Sequence, residues 1–113
     1  MASEVFVDTS AWYPAVVSNH ADHRRVAKAL TDRVQRRQRV VTTNLVIAET
    51  HALLLHRVNR EAALAFTSIV RQSPNLVVYS DARLEQAALE WLDRFKDQTF
   101  SLCDAVSFSV MTA

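Results

Sequence analysis

Three acidic residues stand in company that gives a charge little ordinary reason to be there. They are Asp8 in VFVDTSAW, Glu49 in NLVIAETHALLL and Asp104 in SLCDAVSFSVM. Asp8 ends a short apolar run, where it, Thr9 or Ser10 would cap a following helix. Equally, it would present a carboxylate at a strand exit. Glu49, at helical spacing, falls with Leu45, Ala48, Ala52 and Leu53 on what reads as the apolar face. A carboxylate there is costly unless an arginine pairs with it, its head escapes to water, or a cation holds it. Asp104 follows Ser101 by three residues, ahead of an apolar run, which is a capping-box pattern. A carboxylate in a helix's first turn is also kept ionised by the dipole, so capping and metal binding do not compete.

Brought together, three carboxylates would repel one another and persist as ions only around a cation. Oxygen donors alone favour Mg²⁺ or Mn²⁺ over zinc. Such an ion activates water and stabilises the charge that builds on a phosphodiester. The acids are far apart in sequence, so convergence depends on the elements that carry them.

Those elements are legible as an alternating series. Val5–Val7 reads as a buried strand, and a helix follows from about Ala11 with Pro14 in its first turn. Val26, Leu30 and Val34 mark an amphipathic helix from about Asp22 to Gln38. RVVTT, from Arg39 to Thr43, is a second strand. Asn44 caps a helix through about Arg57, and Asn59 caps another to about Gln72. NLVVYS, from Asn75 to Ser80, is the third strand. Asp81 opens a helix with the stripe Leu84, Ala88, Trp91, Leu92 and Phe95, and Ser101 starts the last one. The order β-α-α-β-α-α-β-α-α predicts an α/β fold whose parallel sheet is flanked by helices. Ligands of such sheets bind beyond the carboxyl ends of the strands.

Composition narrows the alternatives. The 113 residues form one domain, 1–113, with 50% hydrophobic and 22% charged residues and a net charge of +1. Glycine is absent, which excludes Gly-rich phosphate loops. The single cysteine, Cys103, cannot make an internal disulfide, MASEVF shows no secretory signal, and no apolar run is long enough for a bilayer. A cytoplasmic protein is expected, with no membrane partner.

VFVDTSAW, NLVIAET and FSLCDAVSF, in that order and spacing, resemble the PIN-domain ribonucleases, most closely the toxins of VapBC-type toxin–antitoxin pairs. The resemblance implies a PIN-like parallel sheet and an Mg²⁺- or Mn²⁺-dependent endoribonuclease. Its catalytic and metal-binding acids map onto Asp8, Glu49 and Asp104, with Ser10 as a supporting hydroxyl. It further implies an RNA substrate, an antitoxin protein lying across apolar grooves between helices, and a homodimer. Two departures stand out. Cys103 occupies a position where the family usually has Thr or Ser. The family also brings a fourth acid and closing strands after the last helix, whereas this sequence stops at Ala113; Asp97 does not match that acid. The expectation is a C-terminally incomplete sheet with weakened metal binding and an edge open to pairing.

Between Arg24 and Arg39 lie seven basic residues, Arg24, Arg25, Lys28, Arg33, Arg36, Arg37 and Arg39, against one acid, Asp32; they are a candidate grip on RNA phosphates or a solvated helix exterior. His20, His23, His51 and His56 have no zinc spacing with cysteines and read as surface or packing residues. Trp12 and Tyr13 read as packing residues that could also stack on a base. Two other readings remain: a catalytically inactive PIN scaffold that binds RNA or protein, and a phosphoaspartyl enzyme using Asp8. The latter lacks a nearby second acid and a matching lysine.

Overall fold

RVVTT forms β2 (Arg39–Thr43), the middle strand of a three-stranded parallel sheet, with Val40, Val41, Thr42 and Thr43 all buried. On one side β1 (Glu4–Phe6) sets Val5 opposite Val40; on the other β3 (Leu76–Val78) is held with Val77 opposite Thr42. A central strand buried on both faces is what a helix-covered parallel sheet requires. The structure is a computed structural model and describes residues 3–72 and 74–112.

Six helices flank the sheet. They are α1 (Thr9–Val16), α2 (His23–Gln35), α3 (Asn44–Arg57), α4 (Arg60–Val70), α5 (Ala82–Arg94) and α6 (Leu102–Thr112). The element order matches the expected one, and the differences lie at the ends. Helix α1 begins at Thr9 rather than near Ala11, so Pro14 falls in its second turn. There the missing N–H leaves the Ser10 carbonyl without its usual partner, and α1 stops two residues later. Helix α2 ends at Gln35, three residues before the expected Gln38. Arg37 takes a left-handed backbone, φ 60°, and the Gln38 and Arg37 amides donate back to the Arg33 and Val34 carbonyls, each at 3.0 Å. That is a Schellman stop built without glycine.

Caps are equally specific. Thr43, not Asn44, caps α3: its hydroxyl accepts from the Val46 amide at 3.1 Å. Asn44 is freed to accept the Ser80 amide at 2.7 Å, which ties the β2–α3 turn to the β3–α5 turn. Asn59 caps α4 and Asp81 caps α5, as their types suggest.

The core has two parts. Ile47, Leu54, Ala63, Phe66 and Val70 join α3 to α4, with Trp12, Tyr13, Val17 and Val77 packed against them. Ala88, Ala105 and Val106 join α5 to α6, with Leu45, Trp91 and Leu92 alongside. An aromatic series, Phe95 on Trp91 and Phe108 between Trp91 and Phe100, extends this second part along one side of α5 and α6. No described helix is long and apolar enough to cross a membrane.

Candidate active site

Asp8, Glu49 and Asp104 arrive from three elements and line one cleft of about 270 Å³, together with Thr9, Ser10, Val46, Cys103 and Ser107. Each acid stands just beyond or along the carboxyl-end rim of the sheet. Asp8 follows β1, Glu49 sits in the second turn of α3 after β2, and Asp104 lies in the first turn of α6.

Asp8 occupies the N-cap position of α1 in an extended backbone conformation, yet its side chain caps nothing. Its carboxylate instead accepts the Ser10 hydroxyl at 2.6 Å. The capping reading of Asp8 therefore holds for its backbone and fails for its side chain, which remains turned to the cleft. The carbonyl before Asp8 is fixed too, because Val7 accepts the buried Thr42 hydroxyl at 2.9 Å.

Glu49 requires a correction. Its expected place on the apolar face does not exist: Ala48, Glu49 and Ala52 are exposed. The buried stripe of α3 is Val46, Ile47, Thr50 and Leu54. The alanines made the wrong face look apolar, and the true core face carries a threonine. Glu49 needs no cation to excuse its burial, but its exposed side borders the cleft.

Asp104 makes the capping box in full. Its amide donates to the Ser101 hydroxyl at 3.0 Å and its carboxylate accepts the Ser101 amide at 3.1 Å. One oxygen is thus engaged by the helix start while the carboxylate as a whole stays exposed at the cleft.

Cys103 sits amid the three acids. Burial first, then the negative charges of Glu49, Asp104 and Asp8, push its thiol up to about 12. It is protonated at neutral pH in the metal-free cleft. The other donors of the lining are carboxylate and hydroxyl oxygens, which suit a hard divalent cation. Among the described residues, no three carboxylate, imidazole or thiol groups converge closely enough to hold a metal ion between them. The acids border the cleft without closing on one point, as like charges do. A divalent cation would be held by Asp8, Glu49 and Asp104, whose oxygens are the donor type such an ion takes. No lysine borders the cleft, which removes support from the phosphoaspartyl reading.

The basic residues lie elsewhere. Arg39 opens β2 opposite Glu4 and pairs with it, at the amino end of the sheet. Arg36 and Arg37 form the turn just before it, and Arg33 bonds Gln38 at 3.1 Å. Arg24, Arg25 and Lys28 are exposed on the first turns of α2, with Arg25 paired to Asp22. None of the seven lines the cleft. His20, His23 and His51 bond the Asp22 amide, the Pro14 carbonyl and the Thr67 hydroxyl respectively, and His56 is exposed. Trp12 packs edge-on against Phe66 and donates to Thr42. It also helps line two apolar grooves, one with Val16, Phe66 and Ile69 and one with Leu30, Val34 and Val40.

Sequence reasoning missed Thr9, Thr50 and Ser107. Thr9 and Ser107 line the cleft, and Thr50 is wholly buried behind it. A signal was present: Asp8 and Glu49 are each followed at once by threonine.

Comparison with known proteins gives a consistent answer. The PIN domain family matches residues 5–113. Two curated relatives, the 23S rRNA-specific endonuclease VapC20 of Mycobacterium tuberculosis strains CDC 1551 / Oshkosh and ATCC 25618 / H37Rv, are each 39% identical over 108 residues. Those residues are 95% of this chain and 79% of the relative. The crystal structure of M. tuberculosis VapC20, described as a sarcin–ricin loop cleaving toxin, superposes with a TM-score of 0.86 at 34% identity. That match covers 95% of this chain and 80% of the other.

Proposed function

This chain belongs to the PIN-domain family, and on that premise we propose that it is a metal-dependent endoribonuclease, the toxin of a toxin–antitoxin pair. The single observation that carries the reading is the meeting of Asp8, Glu49 and Asp104 on one rim cleft. The relatives are named for cleaving 23S rRNA, and the sarcin–ricin loop is accordingly the first substrate to try.

Asp8, oriented by Ser10, and Asp104, anchored by Ser101, would hold the cation, with Glu49 as the third acid of the cleft. When bound, Mg²⁺ or Mn²⁺ supplies charge neutralisation at the phosphodiester and lowers the pKa of water. Glu49, exposed in the second turn of α3, would take a proton from an attacking water. Protonated Cys103 adds no charge and leaves the acids as the only anions of the cleft's lining. The exposed basic side chains of α2 would bind phosphates away from the cut. An antitoxin helix has apolar grooves to occupy on either side of Trp12.

The test is cleavage of a sarcin–ricin loop oligonucleotide and of total RNA, with Mg²⁺, Mn²⁺ or chelator, by wild type, Asp8→Asn and Asp104→Asn. Cleavage that needs the metal and is lost in both folded variants is expected. Equal cleavage by all three proteins would refute the reading. One observation favours a second reading, a scaffold that binds without cutting: the acids do not converge on a point. RNA retained on the protein, uncut in either metal, would select it.

A further inference from the structure

We infer that Thr9 and Thr50 form a positioning pair that sets the stance of Asp8 relative to Glu49; the inference rests on the reading of the cleft as the metal site. Each threonine immediately follows one of the two acids. On α3 neighbouring side chains point roughly 100° apart, so with Glu49 exposed at the cleft Thr50 turns into the core, while Thr9, the first residue of α1, is a buried part of the cleft lining. Thr50 is 0% exposed and Thr9 9%, and the Thr50 hydroxyl donates to the Thr9 hydroxyl at 3.2 Å, linking α3 to the start of α1 across 41 residues of sequence.

Packing alone does not ask for hydroxyls here. Valine has nearly the same shape, and a buried hydroxyl is unfavourable unless bonded. Each of these finds its partner in the other. Threonine is also stiff at χ1, so the bond transmits backbone position rather than absorbing slack. On its other side the β1–α1 elbow is held by Thr42, which donates to the Val7 carbonyl at 2.9 Å and accepts the Trp12 indole N–H at 3.3 Å. The segment from Val7 to Trp12 is thus anchored to β2 by one buried threonine and to α3 by another. That anchoring explains how Asp8 can sit at an N-cap without spending its side chain on the cap.

The pair opposes a specific force. Asp8 and Glu49 are like charges on one cleft and push apart when no cation lies between them. A clasp one residue behind each acid keeps them from drifting, so a cation has less of the cleft to order on binding. Affinity gained this way comes from lowering the ordering cost.

The experiment measures Mn²⁺ binding by electron paramagnetic resonance on protein without RNA, alongside melting of the metal-free protein. Variants are Thr9→Val, Thr50→Val, their double, Thr50→Ser, Asp8→Asn and Ser109→Ala. Ser109 is a buried hydroxyl on α6 bonded to the Ala105 carbonyl, outside the cleft lining, and reports the effect of lost stability alone. Each valine variant is expected to weaken Mn²⁺ binding roughly 10-fold, the scale of losses behind metal ligands. The double should be no worse than either single, and Thr50→Ser should bind as wild type. Valine variants that bind Mn²⁺ like wild type, while Asp8→Asn does not, would overturn the pair alone. So would additive losses matched by Ser109→Ala. Wild-type binding left unchanged by Asp8→Asn would overturn the cleft reading and the pair with it.

Discussion

At the scale of single residues, the site depends on how each carboxylate is held. The Ser10 hydroxyl donates to Asp8 at 2.6 Å, so its contribution is orientation. Ser10→Ala is expected to lower Mn²⁺ affinity or cleavage roughly 10-fold without loss of fold, as for other partners of ligating groups. Calorimetric titration and a far-UV spectrum check it. Cys103 carries a pH signature. Its thiol keeps its proton more tightly in the fold, about 12 against an ordinary 9.0, because it is buried and ringed by Glu49, Asp104 and Asp8. The stabilisation from this group is complete below the unfolded value and is lost as pH rises through the folded one. Urea midpoints measured from about pH 8 to 11 should therefore fall faster for wild type than for Cys103→Ser. Parallel slopes would contradict the assignment. The acids themselves were visible in the sequence as charges beside apolar runs, yet the reason found for Glu49 was wrong. Ala48 and Ala52 imitate a core face, and the real one includes Thr50, whose hydroxyl needs a partner 41 residues away that only the fold supplies.

At the scale of elements, boundaries follow side-chain chemistry that a sequence shows incompletely. RVVTT was readable to the residue because four consecutive β-branched residues, all buried, follow a single charged one. The end of α2 was not, since nothing marks Arg37 as a left-handed residue in a chain without glycine. That conformation carries a steric penalty for a residue with Cβ. Arg37→Gly should stabilise the fold by about 0.5–1 kcal/mol, seen as a higher melting temperature. Likewise the cap of α3 was assigned to Asn44, one residue late, because both residues suit a cap. The fold gives the role to Thr43 and spends Asn44 on the neighbouring turn. Thr43→Ala should cost about 1–2 kcal/mol, the loss of a cap at a buried site, and chemical denaturation would measure it.

On the scale of the whole molecule, charge is divided unevenly around a net of +1. The basic stretch gathers on α2 and its exit, and the cleft is anionic. If α2 grips RNA, replacing Arg24, Arg25 and Lys28 together with glutamine should reduce the salt slope of single-strand binding by about 2, at roughly 0.7 per phosphate contact. Cleavage at saturating RNA should be unchanged, since none of the three lines the cleft. Filter binding over a salt series decides it; an unaltered slope would leave α2 a solvated exterior. The architecture was the most legible level of all, because strand and helix periods recur without ambiguity along the chain. The distance between acids was the least, because it is set by contacts between α1, α3 and α6.

The division of the core into two packed units has its own outcome. Thr9 and Thr50 join the elements beside Asp8 and Glu49 to the first unit, whereas Asp104 rides on α6 in the second. The cleft is the seam where these halves abut, and a divalent ion there would act as a rivet. At about 100 times its dissociation constant it would stabilise the folded form by roughly 2.7 kcal/mol. Deuterium uptake by α6 should then slow when Mn²⁺ is added, while α4, far along the first half, keeps its rate.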